Sequence, residues 1–220
     1  MERTAGFSRV KTRPYIKLDD LRKELDQRGD AIRKRIAQFA DIRQEEYFYE
    51  LVYCLLTPQS SAVNAGKAVE RLKEAGLFHR EIEPADLLHQ KDFYIRFHNT
   101  KGKHLKEAKW KFPEIQAKLG NGQSSEELRE WLVKNVKGMG WKDASHFLRN
   151  IGHRNLAILD RHILRNLKRH RVITSLPKTL TPKRYAVIEH KFLQFANTIG
   201  ITLDELDLLF WSRETGEILK

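Results

Sequence analysis

Apolar residues recur at helical spacing along almost the whole chain, and this pattern limits the possible folds more than any other feature. Phe48, Leu51, Val52, Leu55 and Leu56 fall at positions i, i+3, i+4, i+7 and i+8, which places them on one face of a helix. The apolar–polar alternation that indicates a strand is scarce. The sequence therefore predicts an all-α protein.

Capping residues mark the ends of several predicted helices. Ser124 with Glu127, and Thr202 with Glu205, have the spacing of a capping box, in which a hydroxyl and a carboxylate satisfy free N–H groups reciprocally. Asp160 stands where an N-cap residue belongs, directly before another apolar-periodic segment. These positions predict three helix starts, near residues 125, 161 and 203.

A short glycine-containing hairpin, residues 136–142 (VKGMGWK), joins two of the predicted helices. Gly138 and Gly140 can adopt positive φ and allow another backbone to approach closely. The free N–H groups and the positive dipole end of the helix that follows form a phosphate site. Such a hairpin contacts the DNA backbone without reading its sequence. An ordinary glycine turn between two helices is the alternative, and two glycines alone favour it.

The charge balance indicates a polyanionic partner. The chain has 41 Lys and Arg against 29 Asp and Glu, a net charge of +12. Nucleic acid is the simplest such partner, and an anionic membrane surface is the poorer one. No transmembrane segment and no signal-peptide core is predicted, so a cytoplasmic, nucleoid-associated location is expected. A solvated basic face that also contacts DNA is predicted from Lys101, Lys103, Lys106 and Lys109.

Lys142 and Asp160 form a candidate catalytic pair. Lys142 lies in the first turn after the hairpin, and Asp160 follows 18 positions later. An activated lysine amine can act as a nucleophile. Taken singly, each residue has a plainer interpretation, as a solvated surface lysine and as a capping aspartate.

Taken together, the segments VKGMGWKDA and AILDRH resemble the helix–hairpin–helix DNA glycosylase superfamily. The resemblance implies that Lys142 attacks C1′ of the damaged nucleotide, displaces the base and forms a Schiff base. It implies that Asp160 stabilises the developing oxocarbenium ion and helps to activate the amine. Because the Schiff base permits β-elimination of the 3′ phosphate, a bifunctional glycosylase and AP lyase is expected.

The number of cysteines limits which branches of the superfamily the chain can resemble. Cys54 is the only cysteine, which excludes the four-cysteine iron–sulfur cluster of most endonuclease-III-like members. The chain is also short for the eukaryotic-type 8-oxoguanine enzymes. Over nearly its whole length it is similar to the archaeal and bacterial type-2 8-oxoguanine DNA glycosylase/AP lyases. The resemblance thus implies base-excision repair of 8-oxoguanine in duplex DNA.

The same resemblance assigns residues to base recognition. Lys220, the last residue, matches a terminal lysine whose side chain and carboxylate help to recognise the oxidised base. Trp211 matches the tryptophan that stacks on the flipped base, although core packing is an equal alternative from the residues alone. Phe97 is the candidate for the opposite stacking face, with His98 as the alternative if the alignment is shifted by one position.

Gln59 follows the helix that Pro58 terminates, and the resemblance implies that it enters the gap left by the flipped base or contacts the estranged partner. A solvent-exposed loop glutamine is the alternative.

The resemblance also implies a monovalent cation held by backbone carbonyls near Lys134, Val136 and Met139, and no other cofactor. No metal site is predicted, since the histidines with near-zinc spacing have no cysteine or second pair to complete a site.

The resemblance implies a two-domain helix–hairpin–helix glycosylase fold with a substrate cleft between the domains. One domain would comprise residues 41–154, including the hairpin motif at about 125–152, and the other residues 1–40 together with 155–220. The expected protein is a monomer whose partner is damaged double-stranded DNA. Two alternatives stay open: a glycosylase of this fold for another lesion, and a non-catalytic DNA-binding protein that uses only the hairpin.

Overall fold

The computed structural model describes Tyr15 and residues 17–218, and within these residues the regular structure is helical. An isolated antiparallel bridge between His89 and Tyr94 is the only β-pairing in that part of the chain. No described helix has the length and apolar character needed to cross a membrane. The predicted all-α class is confirmed. The helices are α1 (Leu18–Ala40), α2 (Tyr47–Leu56), α3 (Ala62–Glu74), α4 (Pro84–Leu87), α5 (His98–Leu119), α6 (Ser125–Asn135), α7 (Trp141–Asn150), α8 (Arg161–Arg169), α9 (Pro182–Ile199) and α10 (Leu203–Thr215).

The predicted helix starts are confirmed by their hydrogen bonds. Ser124 and Thr202 each accept a bond from the backbone N–H of the glutamate three residues later, and both glutamates bond back to complete the capping boxes. Asp160 Oδ1 accepts from the Ile163 N–H at 2.8 Å and so caps α8. Local side-chain chemistry therefore sets where α6, α8 and α10 begin.

Two hydrophobic clusters form the interior. The first extends from Phe48 to Leu156 and is built mainly by α2, α3, α5, α6 and α7. The second combines α1 with Ala157 and the apolar faces of α8, α9 and α10. The chain passes from one cluster to the other between Phe39 and Phe48 and again after Leu156. The division into two domains at residues 40 and 155 stays a prediction.

Two buried ion pairs join the clusters. Arg129 of α6 makes a bidentate pair with Glu189 of α9, with N–O distances of 2.6 and 2.8 Å. Arg149 of α7 pairs with Asp207 of α10 at 3.0 Å. Charged pairs with little solvent around them are held in one geometry, because either partner alone would be left buried and uncompensated.

Replacing Arg129 with alanine is expected to lower the free energy of unfolding by about 3–5 kcal/mol, because Glu189 is left without its cation. Urea unfolding measures this loss. Lys106→Ala, which breaks the exposed pair with Glu83, is the control and should leave the midpoint essentially unchanged. Equal shifts in the two variants would contradict a structural role for the Arg129–Glu189 pair.

The predicted basic face of α5 is wrong for Lys101, which is buried. Lys106 and Lys109 are exposed or partly exposed, but they pair with Glu83 and Glu81 at 2.9 and 2.8 Å. The helix approaches α4 so closely at Gly102 that a Cβ there would lie 2.9 Å from the Ala85 backbone nitrogen. This close approach turns the Lys101 side of α5 inward.

Candidate active site

A cleft of about 1000 Å³ is lined by residues of both hydrophobic clusters. Tyr53 and His146 line it from α2 and α7, and Leu208 lines it from α10. The cleft thus lies where the two clusters meet, beside the Arg149–Asp207 pair, both members of which reach its wall.

Lys142 and Asp160 both line this cleft. Lys142 lies in the first turn of α7, and its ammonium donates to Asp143 Oδ1 at 2.9 Å. Asp160 uses one carboxylate oxygen to cap α8. The N-terminal ends of two helices therefore present a cation and an anion to one space.

Both charges act on a third group, the buried carboxyl of Asp207. Burial raises the pKa of Asp207 to about 7, the Arg149 guanidinium and the Lys142 ammonium oppose this rise, and the Asp160 carboxylate adds to it. Lys142, Asp160 and Asp207 all line the same cleft.

Gln59 and Trp211 also line the cleft. Gln59 stands in the turn after α2, is exposed, and has a left-handed φ of 57°. Trp211 lies on α10 and is partly exposed. Its indole therefore reaches the cleft wall and is not enclosed in the core as Phe210 beside it is.

Phe97 and Lys220 are not brought into the described site. Neither Phe97 nor His98 is among the residues that line the cleft, whereas Arg96 is. Phe97 is 50% exposed, and the Arg96 guanidinium lies 5.0 Å from the centroid of its ring. Lys220 lies outside the described residues.

The hairpin uses only one of its glycines for a left-handed conformation. Gly138 has φ +83°, and a Cβ there would overlap the imidazole of His104. Gly140 is extended, with φ −95°, and is the N-cap of α7. The hairpin faces a second depression of about 440 Å³ and not the cleft.

The Val136 carbonyl accepts a hydrogen bond from the Met139 N–H at 3.2 Å. Its second lone pair remains compatible with a bound cation. No cluster of three or more His, Cys, Asp or Glu side chains able to hold a metal occurs in the described part of the chain.

Sequence reasoning missed Arg149 and Asp207. Asp207 interrupts an otherwise apolar segment of α10, LDLLF, and an acid at a buried helical position calls for a cation partner. The sequence therefore contained a signal for a buried ion pair. The partner of Asp207, Arg149, is 58 residues away in the chain and could not be identified without the fold.

Comparison with known proteins places these features in context. A family model described as 8-oxoguanine DNA glycosylase matches residues 32–201. The chain is 41% identical over 214 residues to the 8-oxoguanine DNA glycosylase/AP lyase of Fusobacterium nucleatum, covering 92% of this chain and 97% of that one. Its identity to the protein of the same name from Korarchaeum cryptofilum is 39%, over 87% of this chain and 91% of the other.

Two solved structures are similar over nearly their full length. The 8-oxoguanine DNA glycosylase of Thermotoga maritima matches with a TM-score of 0.81 and 31% identity, covering 92% of this chain and 98% of that one. The Methanocaldococcus jannaschii 8-oxoguanine glycosylase/lyase, solved with a 15mer DNA containing 8-oxoguanine, matches with a TM-score of 0.80 and 33% identity. The match covers 91% of this chain and all of that one.

Proposed function

The chain belongs to the 8-oxoguanine DNA glycosylase family, and on that premise we propose that it excises 8-oxoguanine from duplex DNA and cleaves the strand at the resulting abasic site. One observation carries the proposal: Lys142 and Asp160, on different helices, line a single cleft. A non-catalytic DNA-binding protein would have no use for this convergence.

The proposed reaction has two steps. The Lys142 ammonium first loses a proton. Its amine then forms a bond to C1′ while the N-glycosidic bond breaks, and the departing base takes the bonding electrons and a proton. Asp160 stabilises the positive charge that develops on the sugar. Ring opening, in which O4′ takes the bonding electrons and a proton, gives a protonated Schiff base, and loss of a C2′ proton then expels the 3′ phosphate by β-elimination.

The lesion must leave the stack to reach Lys142, because the cleft is lined by protein on both sides and a base within the duplex is inaccessible. We assign Trp211 to stacking on the flipped base and Gln59 to the gap that it leaves. Lys220 and Phe97 complete the proposed base-recognition set. Gly138 and Gly140 belong to the proposed phosphate contact, with a monovalent cation on the carbonyls of the same hairpin.

The function is tested by borohydride trapping on three duplexes that contain 8-oxoguanine opposite cytosine, an abasic site, or no lesion. A covalent band with the first two is expected. A band with the abasic duplex alone would keep the lyase chemistry and assign the protein to another lesion. DNA binding without any band would favour the non-catalytic alternative.

Sedimentation of the free protein tests the proposed monomer.

A basic face on α8 is the proposed contact for DNA that flanks the lesion. Arg161 lines the cleft, and Arg165, Lys168 and Arg169 continue on the same exposed face at helical spacing. None of the four forms an ion pair with another described residue. Unpaired cations are those free to neutralise phosphates, in contrast to Lys106 and Lys109 of α5, which pair with glutamates.

Replacing Arg165, Lys168 and Arg169 together with glutamine is expected to reduce the slope of log Kd against log salt concentration by about 2 to 3. Each lost phosphate contact contributes about 0.9 to that slope. Fluorescence anisotropy with duplex DNA at several salt concentrations measures the slope.

A triple variant of paired lysines, Lys67→Gln, Lys73→Gln and Lys111→Gln, is the matched control for the change in net charge. Each of the three has an acidic partner within 3.7 Å. A smaller loss of slope is expected in this control. An equal loss in the two triple variants would show that only net charge matters and would contradict a contact along α8.

A further inference from the structure

A lysine buried beneath the cleft rim has no part in the chemistry proposed above. Lys101 lies in the first turn of α5 and is 6% exposed. Its ammonium donates to the carbonyl oxygens of Leu56 and Pro58, both at 2.7 Å, and to the hydroxyl of Ser60 at 3.2 Å. All three acceptors belong to the end of α2 and the turn that follows it.

These bonds hold the two sides of Gln59. The last carbonyls of a helix have no partner within the helix and carry the negative end of its dipole. An ammonium at that end donates hydrogen bonds to the carbonyls and stabilises the negative end of the dipole. On the other side of Gln59, the Ser60 hydroxyl also accepts from the Arg96 N–H at 3.1 Å. The Ser60 N–H in turn donates to the Thr57 carbonyl at 3.0 Å.

Gln59 itself has an unfavourable backbone conformation. Its φ of 57° lies in the left-handed region, which a residue other than glycine adopts only when its surroundings enforce it. It is exposed at the cleft, so no packing of its own side chain provides that enforcement. The enforcement comes from its neighbours, and Lys101 contacts both of them.

We infer that Lys101 is a positioning residue that holds residues 57–60 in one conformation, so that Gln59 is already placed to occupy the gap left by the extruded base. This inference rests on the proposed function. If the turn is already ordered before DNA binds, no free energy is spent on ordering it during base extrusion, the step in which we propose that Gln59 acts.

The charge on Lys101 is maintained against a cost. Burial lowers the pKa of Lys101 to about 8, and the Lys142 ammonium adds to this effect while the Asp143 carboxylate opposes it. An apolar side chain of the same length would fill the space without that cost. What it could not do is bind three oxygens at once, which is the role we assign to this lysine.

Lys101→Met, an exchange of similar shape, tests the inference through two rates measured in single turnover. One is excision of 8-oxoguanine opposite cytosine in a duplex, and the other is strand cleavage at an abasic site in single-stranded DNA. Because only the first requires a filled gap, the ratio of the two rates is expected to fall about 10- to 100-fold. Lys101→Arg, which keeps donors for the carbonyls, should recover part of the ratio.

Lys111→Met, on the same helix and paired with Glu114, is the matched control and should leave the ratio unchanged. A wild-type protein that excises no 8-oxoguanine would overturn the proposed function itself. Wild-type excision together with an equal fall of both rates in Lys101→Met would overturn the positioning role alone.

A double-mutant cycle with Gln59→Ala separates positioning from a general effect on folding. If Lys101 acts through Gln59, then Lys101→Met should lower duplex excision little further once Gln59 is already alanine. Multiplicative losses would show that the two residues act independently and would overturn the inference. Should Lys101→Met fail to melt cooperatively, Ser60→Ala removes one of the three contacts, and the same cycle is run with it.

Discussion

We expect Lys142→Gln to abolish covalent trapping and to slow base excision by at least about 10³-fold, as removal of a nucleophile does in other enzymes. Among the described residues that line the cleft, Lys142 is the only lysine. A glutamine amide has nearly the size of the lysine stem but no nucleophilic lone pair on nitrogen. The measurement is single-turnover excision combined with borohydride trapping on 8-oxoguanine and abasic duplexes.

If Lys142→Gln retains its affinity for DNA, its loss of excision activity can be assigned to the chemical step and not to DNA binding. The variant should bind the lesion duplex within a few-fold of the wild type, because the basic face of α8 and the hairpin are unchanged. Lys111→Gln, which removes one paired lysine remote from the cleft, is the control for the charge lost. A covalent band that persists in Lys142→Gln would contradict the assignment of the nucleophile.

Much of this site was predictable because its signals are local. An aspartate followed by an apolar helix predicts a cap, and Asp160 is that cap. A glycine hairpin followed by a lysine predicts an amine at a helix start, and Lys142 lies there. Gln59 and Trp211 reach the cleft for similar reasons, one just beyond a helix that ends at Leu56 and the other on a well-capped helix.

What could not be predicted depends on which face of a helix turns inward. In the sequence, Lys101 cannot be distinguished from the other lysines of a basic segment. A lysine stem can pack against apolar surface, so a buried lysine leaves the apolar–polar pattern unchanged. Its burial follows from the close contact of Gly102 with Ala85, which is 17 residues away in the chain. The Arg149–Asp207 pair, joined only by the fold, was missed for the same reason.

Asp160→Asn is expected to separate the capping role of this side chain from the catalytic role that we propose for it. Asparagine caps a helix about as well as aspartate, so the bond to the Ile163 N–H is kept and the free energy of unfolding should change by less than about 0.5 kcal/mol. The negative charge is lost, and with it the stabilisation of the developing cation. Base excision should therefore fall about 10²–10³-fold.

Asp160→Ala is the partner variant that makes this argument testable. It removes the charge and the cap together, so it should lose a similar factor in rate and, in addition, about 1 kcal/mol of stability. Urea unfolding and single-turnover excision on the same preparations give both quantities. If the asparagine variant were as active as the wild type, Asp160 would be a cap and nothing more, and its proposed catalytic role would be contradicted.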